Sequence, residues 1–462
     1  MIGLARIPGL RGFDLAIAMA LSLSVAAADE KVGFEVALIA VLVCVGILSA
    51  VIAPPIYASL LILAAPLPSV GAFAGTHVPV GFDPFTVLLV AGLLVAIRST
   101  TRWPKSPAIT SLIVASASVF LIYAIAWYRT YAIGGVSPQD IALLIKPVLL
   151  ALSGGVIAAL VPREQLVSTV AIGLFIAQGL FAISIALQVT GIYESAYQAA
   201  NVEHYGLKQF GGMLIDGNTA GAMFAIYAVP IFLLLRAINR RGLGIALLVI
   251  TPLILFVTTS RTGIAVFGAS LILLVSYDRD RIRNGVIVLT VSGATAALAM
   301  SAAQSQFAQL RASVSGTRNT NAILSGRVDI WEQAQLFLRQ GNNFIVGGGL
   351  DAFRDFAARS SLGNAFATHS AILFLLATGG LVLLAAYALL LVSVWLASSR
   401  APLPVRNAIR FALMALIVIG LANDATLIAR MGSWIWLLLG VGIYLSTDAA
   451  AARNRSAIAE TS

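Results

Sequence analysis

The sequence predicts an all-α, polytopic integral membrane protein. Hydrophobic residues make up 60% of the 462 positions and charged residues only 10%, whereas a soluble domain carries about 25% charged residues. Apolar runs of about 18 or more residues recur along the chain, and each is long enough to cross a bilayer as a helix. These runs lack the two-residue alternation of a membrane β-strand. Backbone groups in hydrocarbon must be paired within their own segment, so we expect helices.

Taken in order, the apolar runs predict about fourteen transmembrane helices, with boundaries uncertain by several residues. Only Pro54-Pro55 separates the second run from the third, so these two could form one bent re-entrant unit, and about twelve helices is the lower limit. The predicted spans are 13–28, 34–53, 55–74, 84–98, 107–127, 139–161, 166–188, 218–236, 242–259, 261–277, 285–303, 368–397, 405–421 and 432–447.

Lys and Arg residues predict the orientation of these helices. Because basic loops stay in the cytoplasm, we expect both termini there, and we expect the loops 189–217, 260–261, 304–368 and 423–424 on the outer side of the membrane. The basic set lies in alternate loops: Arg6, Arg11, Arg98, Arg102, Lys105, Arg163, Arg236, Arg240, Arg241, Arg279, Arg281, Arg283, Arg400, Arg406, Arg453 and Arg455. The short loops between them hold few cations: Lys31, Arg129, Arg261 and Arg430.

This orientation divides the chain into four parts. Transmembrane helices with short loops occupy 1–303, a long outward loop with short helices occupies 304–368, further transmembrane helices occupy 369–449, and a cytoplasmic tail occupies 450–462. The long loop is the only extended polar interval of the sequence, and it ends at His369, where an apolar run begins. We therefore expect the chemistry where this loop meets the bilayer.

Composition also argues against several classes of protein. The net charge of +10 lies in clusters that set topology, so we expect no nucleic-acid partner. The single Cys44 cannot form a disulfide within the chain. The three histidines have no HxxxH spacing, and no GxxxxGK[ST] stretch exists, so we predict neither a metal nor a nucleotide site and expect no cofactor.

His369 is the candidate base. A lone histidine at a helix start is more often a capping or interface residue, but a neutral imidazole can take a proton from an attacking hydroxyl.

Arg261 is the candidate anion-binding residue, within the turn Thr259-Ser260-Arg261-Thr262-Gly263. It lies on the face where cations are scarce. A guanidinium beside the Ser260 hydroxyl and a helix N-terminus suits a phosphate or pyrophosphate, although a purely topological role is the alternative.

Three more cations belong to the same predicted face. Lys146 lies inside an apolar run, where snorkelling is the ordinary interpretation but an intramembrane charge is also a candidate functional group. Lys208 precedes a helix start, and Arg327 lies in Gly326-Arg327-Val328-Asp329, where a solvated ion pair is the alternative. Several cations around one base fit a lipid pyrophosphate that is attacked by a hydroxyl.

These residues and their order resemble the O-antigen ligase and Wzy-type polysaccharide polymerase superfamily. The resemblance covers roughly residues 200–395 and is carried by Ser260-Arg261-Thr262-Gly263, Gly326-Arg327 with Trp331, Ile345-Val346-Gly347-Gly348-Gly349, and His369 before a helix that contains Gly379-Gly380. It implies inverting transfer of a glycan from undecaprenyl pyrophosphate to a sugar hydroxyl, without metal. It also implies that His369 activates the acceptor and that Arg261 and Arg327 bind pyrophosphate, while Lys146, Lys208 and Ser260 are expected to help bind substrate.

The acceptor remains open between a lipid-linked repeat, as in a polymerase, and lipid A–core, as in a ligase. Two other classes also remain as alternatives. A flippase or transporter of lipid-linked sugars would show repeats and interrupted helices, and a receptor or scaffold would leave the outward cations unexplained.

The predicted topology can be tested with alkaline phosphatase, which is active only in the periplasm. We expect a fusion after Gly316, in the long loop, to be active and a fusion after Arg241 to be inactive, because the basic loops stay in the cytoplasm. The reverse pattern would invert the orientation.

Overall fold

The computed structural model describes most of the helical part of the chain. The described residues are 44–67, 84–96, 113–128, 149–192, 210–277, 290, 327–360 and 368–446, apart from the positions 115, 123, 127, 151, 215–216, 259, 351, 424–425 and 428–429. The predictions for 13–28 and for the 450–462 tail lie outside these residues.

All regular elements within the described ranges are helices, which confirms the predicted all-α class. Helical stretches also occur within 44–52, 113–128 and 149–160. The helices to which we refer below are α1 Pro54–Ala64, α2 Pro84–Ala96, α3 Arg163–Val189, α4 Gly217–Ala237, α5 Arg241–Val257, α6 Arg261–Tyr277, α7 Arg327–Leu338, α8 Asn343–Val346, α9 Ala352–Arg359, α10 Ala371–Ser398, α11 Leu403–Gly420 and α12 Ser433–Ser446.

Four of these helices, α3, α4, α10 and α11, are long and apolar enough to cross a membrane. Shorter apolar helices, including α1, α2, α5 and α12, accompany them, so the chain is a multi-pass membrane protein. Most of the helices lie within a few residues of a predicted span. The span predicted at 55–74 differs, because α1 ends at Ala64, two residues before Pro66, which cannot continue a helix.

Helix α4 lies at the centre of the bundle and packs against α3, α5, α6 and α11. Its first half is rich in small residues, among them Gly221 and Ala225, and almost every side chain from Ala220 to Phe232 is buried. Small side chains allow neighbouring backbones to approach, which is how helices associate when lipid removes the hydrophobic driving force. A helix buried on nearly all sides fixes the positions of its neighbours.

Specific hydrogen bonds attach α4 and α12 to the bundle. The Tyr227 hydroxyl donates to the carbonyl of Met431, just before α12. The Trp434 indole N–H donates to the carbonyl of Ile62 at 2.8 Å, and its ring stacks on Phe181 at 6.2 Å. Buried polar groups need such partners in a low-dielectric interior.

Helix α10 was predicted as one continuous span but is interrupted at Gly380, where φ is 66° and ψ is −161°. The loop that contains α8 lies against this break. The N–H groups of Gly348 and Gly349 donate to the carbonyls of Ala377 and Thr378 at 2.8 and 3.1 Å. These bonds satisfy carbonyls that the interrupted helix leaves without an intrahelical partner.

Replacing Gly380 by Ala should destabilise the protein by about 2–4 kcal/mol, because the backbone conformation suits only glycine and the added Cβ would lie 2.2 Å from the Ile345 carbonyl oxygen. The protein is heated in detergent, and the temperature at which the monodisperse protein is lost is measured for each variant. Gly179→Ala is the matched control, since a Cβ there meets nothing within 4 Å. Equal stability of the two variants would contradict the role given to the break.

Candidate active site

Helices α4 and α6 begin side by side. A Cβ on Gly221, in the second turn of α4, would lie 2.2 Å from the Ser260 Cβ, so only glycine permits this approach. The Ser260 hydroxyl accepts the backbone N–H of Gly263 at 3.3 Å and caps α6. Arg261 is the first residue of α6 and therefore lies near the start of α4, where the positive ends of both helix dipoles add.

The chain before α4 is attached to the end of α3. The Gln188 side-chain oxygen accepts the N–H of Gly212 at 2.7 Å, and the Ser184 hydroxyl accepts the N–H of Met213 at 3.0 Å. Sequence reasoning missed both side chains, because polar residues inside an apolar run give no sign of a remote backbone partner. They show that α3 ends where α4 begins.

Helix α10 begins at this same end of the bundle. The N–H of Ala371 donates to the carbonyl of Asn423 at 2.9 Å, just beyond the end of α11. The chain then reaches α12, which runs antiparallel to α3. Trp434 stacks near the end of α3, whereas Arg163, at the start of α3, donates to the carbonyl of Leu445 at 3.0 Å. The N-termini of α4, α6 and α10 thus lie at one end.

The opposite end carries the start of α3, the link between α4 and α5, and the link between α10 and α11, which hold Arg163, Arg240, Arg241, Arg400 and Arg406. This grouping of loops is the one that the basic residues predict. Which end faces the cytoplasm stays a prediction.

His369 occupies a strained turn directly before α10. Its φ is 49°, a value uncommon for a residue other than glycine. The imidazole is half-buried between Thr368 and Ser370, which are 3% and 5% exposed. The Thr368 hydroxyl donates to the carbonyl of Ser370 at 3.1 Å, so the turn is closed on itself. Such conformations persist only where the surroundings impose them, and they are common at functional sites.

Trp331 joins α7 to this turn. Its indole N–H donates to the carbonyl of Thr368 at 3.1 Å. Arg327 begins α7 and lies four residues before Trp331. Residues four apart share one helix face at roughly 5–6 Å between Cβ atoms. Arg327 therefore lies one helical turn from the residue that binds the His369 turn, although the two segments are far apart in sequence.

A small apolar cluster holds α7 against the first turns of α10. Ile330, Ala334 and Phe337 of α7 pack with Phe353 of α9 and with Leu376 of α10. The Phe337 ring lies 5.9 Å from that of Phe353 and 5.5 Å from that of Phe356. This packing fixes the start of α7 relative to the histidine turn.

The part of the chain that the structure describes does not include all predicted site residues. Lys146 and Lys208 lie outside the described residues, and the Arg261 side chain is not among those described. Ser260 is buried as a helix cap, so its role toward substrate stays a prediction. Within the described part of the chain, no three His, Cys, Asp or Glu side chains are grouped as metal ligands.

Comparison with known families identifies the segment that carries this site. Residues 243–388 match the family model for O-antigen ligase. The match spans α5 to about the first two thirds of α10, including Ser260, Arg261, Arg327 and His369, and it confirms the predicted resemblance over just under a third of the chain. A search of curated proteins found no match. The family supports a role in glycan transfer during polysaccharide assembly, carried out by a glycosyltransferase-like enzyme.

Trp331→Phe should slow transfer about tenfold while the protein stays folded, because the His369 turn loses the hydrogen bond that joins it to α7. The assay is glycan transfer by purified protein, with the catalytic rate and KM measured separately. Trp395→Phe is the matched control at the other end of α10, where its ring stacks under Arg410 at 4.5 Å. An unchanged rate in Trp331→Phe would show that this bond does not position the histidine.

Proposed function

We propose that this protein transfers a glycan from an undecaprenyl-pyrophosphate donor to a sugar hydroxyl, at the periplasmic face of the bacterial inner membrane. The carrying observation is the convergence at one end of the bundle: a histidine held in a fixed turn, Arg327 one helical turn from the residue that binds that turn, and the starts of three apolar helices. The O-antigen ligase match over 243–388 supports the same chemistry.

In the proposed reaction, the acceptor hydroxyl attacks the anomeric carbon of the donor sugar. A C–O bond forms on one face, and the C–O bond to pyrophosphate breaks on the other, so the anomeric configuration inverts. His369 takes the proton of the attacking hydroxyl and later returns it to water. Undecaprenyl pyrophosphate leaves with the bonding electron pair.

Arg261 and Arg327 stabilise the charge that develops on the leaving pyrophosphate. A guanidinium forms paired, charge-assisted hydrogen bonds with phosphate oxygens. The N-terminal ends of α4 and α6 add positive potential at Arg261. Such preorganised donors are worth more in a site from which water is excluded. Lys146, Lys208 and the Ser260 hydroxyl are further proposed contacts to the donor.

The acceptor separates two forms of this proposal. A polymerase extends another lipid-linked repeat, and a ligase transfers to lipid A–core. Both use the same donor chemistry, so the transfer assay offers a lipid-linked repeat and lipid A–core as acceptors in separate reactions.

A flippase for lipid-linked sugars is the second candidate, because an interrupted helix such as α10 is a feature of transporters. In transporters the carbonyls freed at such a break bind ions or substrate. Here the Gly348 and Gly349 amides already occupy the carbonyls of Ala377 and Thr378. The break therefore has a structural explanation, and transferase chemistry is favoured.

The decisive experiment compares wild type, His369→Ala, Arg261→Ala and Arg327→Ala in proteoliposomes that contain the lipid-linked donor. We expect each variant to lose transfer by about 100-fold or more, since a general base and a charge-stabilising donor each contribute at least this much. Products are the new glycoside, with its anomeric configuration determined by NMR, and free undecaprenyl pyrophosphate.

Matched controls separate chemistry from folding. His77→Ala removes another histidine. Arg359→Ala removes an exposed arginine that donates to the Asp355 carbonyl of its own helix. Both controls should retain transfer. Full activity of His369→Ala would contradict the proposed base, and donor movement across the bilayer without glycoside formation would replace the transferase by the flippase.

A further inference from the structure

The break in α10 divides this helix into two pieces of different length. After the break, residues 381–398 extend for roughly 27 Å at 1.5 Å per residue. That length nearly matches the hydrocarbon core of a bilayer, about 30 Å. The preceding piece, residues 371–378, has only two turns. The second piece is therefore a complete membrane span, and the break lies at the membrane boundary on the side of the candidate active site.

Helix α8 lies at the level of this break. A Cβ on Gly347 would be 2.3 Å from the Thr378 carbonyl oxygen, and one on Gly380 would be 2.2 Å from that of Ile345. Backbones in such contact cannot be at different depths. The segment 343–349 is consequently placed at the boundary between lipid and water.

The exposed side chains of α8 are apolar. Phe344, Ile345 and Val346 are 51%, 55% and 43% exposed, and none of the four residues of α8 is buried. The exposed residues Gln340, Gly341 and Asn342 and the half-buried Asn343 come directly before them. The sequence thus changes from polar to apolar within three residues, as expected for a segment that enters a lipid surface.

The apolar surface of α8 continues into the lipid-facing side of α10. Ile345 adjoins Gly380, and the next two residues of α10, Leu381 and Val382, are exposed. Further exposed apolar residues follow along the span: Leu389, Val392 and Leu396. Side chains spaced by three and four residues form one helix face, and on a transmembrane helix an exposed apolar face contacts acyl chains.

We propose that helix α8 is inserted among the acyl chains of the bilayer leaflet on the site's side, with Phe344, Ile345 and Val346 as its lipid contacts. This insertion anchors the loop unit α7–α9 to the membrane and sets the height of Arg327 and of the His369 turn above the lipid. The partner is ordinary membrane phospholipid. The inference does not depend on which glycan is transferred.

The experiment measures the depth of a single fluorescent label on the full-length protein. Cys44→Ala removes the only native cysteine, and Phe344→Cys or Gln340→Cys then provides one labelling site. Each variant carries an environment-sensitive fluorophore and is reconstituted into phosphatidylcholine vesicles without polyprenyl lipid. Quenching by lipids brominated on their acyl chains is compared with quenching by aqueous iodide. Ile345→Cys is the second site if the Phe344 variant is not monodisperse.

We expect the label at position 344 to be quenched by brominated lipid, most strongly by bromine placed near the headgroup, and to be at least several-fold less sensitive to iodide than the label at 340. The label at 340 should show the opposite behaviour. Iodide quenching at 344 as strong as at 340 would overturn the proposal, since α8 would then lie in water.

Coverage of α8 by protein or by the donor's polyprenyl chain, instead of by phospholipid, gives different quenching results. Protection from iodide without quenching by brominated lipid would mean that protein covers α8, as in a dimer. Protection that appears only when a polyprenyl phosphate is added would mean that the donor's chain covers it. Either result contradicts insertion into phospholipid.

Discussion

Backbone hydrogen bonding at the break in α10 is the constraint on which the site depends. Where a transmembrane helix borders lipid, its carbonyl groups need partners from the protein, because an unpaired carbonyl group is costly in hydrocarbon. The glycine turn at 347–349 supplies the donors, and Gly380 supplies the space for the approach. The described part of the long loop, residues 327–360, is thereby held against the helix that His369 precedes.

The same contact positions the loop residues that take part in the proposed reaction. Once the loop is held at the break, α7 packs on the outer turns of α10 through Phe337 and Leu376, and Trp331 reaches the carbonyl of Thr368. The start of α7, with Arg327, then lies beside the histidine turn. The proposed base and the proposed pyrophosphate-binding cation belong to different segments, and one continuous set of contacts limits the freedom of both segments.

The central helix has a complementary role at the same end. Gly221 on α4 leaves space for Ser260 and so fixes where α6 and Arg261 begin. Tyr227 of α4 donates to the chain just before α12, and the Asn423 carbonyl accepts the N–H of the first residue of α10. Three apolar helices therefore start at the same end of the bundle. Their dipoles give this end of the bundle a positive potential even before the arginine side chains are considered. An anionic substrate class agrees with that electrostatic arrangement.

The sequence by itself determined the all-α membrane class, the approximate limits of most helices, and the residue types suited to a pyrophosphate and a base. It could do so because apolar run length and basic loops report directly on the bilayer. It also placed Ser260 before a helix, as local capping chemistry requires. Only the tertiary structure decided that Trp331 binds Thr368, that the glycine turn binds a break in α10, and that Asn423 holds Ala371. These bonds join segments far apart in sequence, and a backbone carbonyl freed by a helix break leaves no mark in residue type. Their partners are therefore set by how the helices pack.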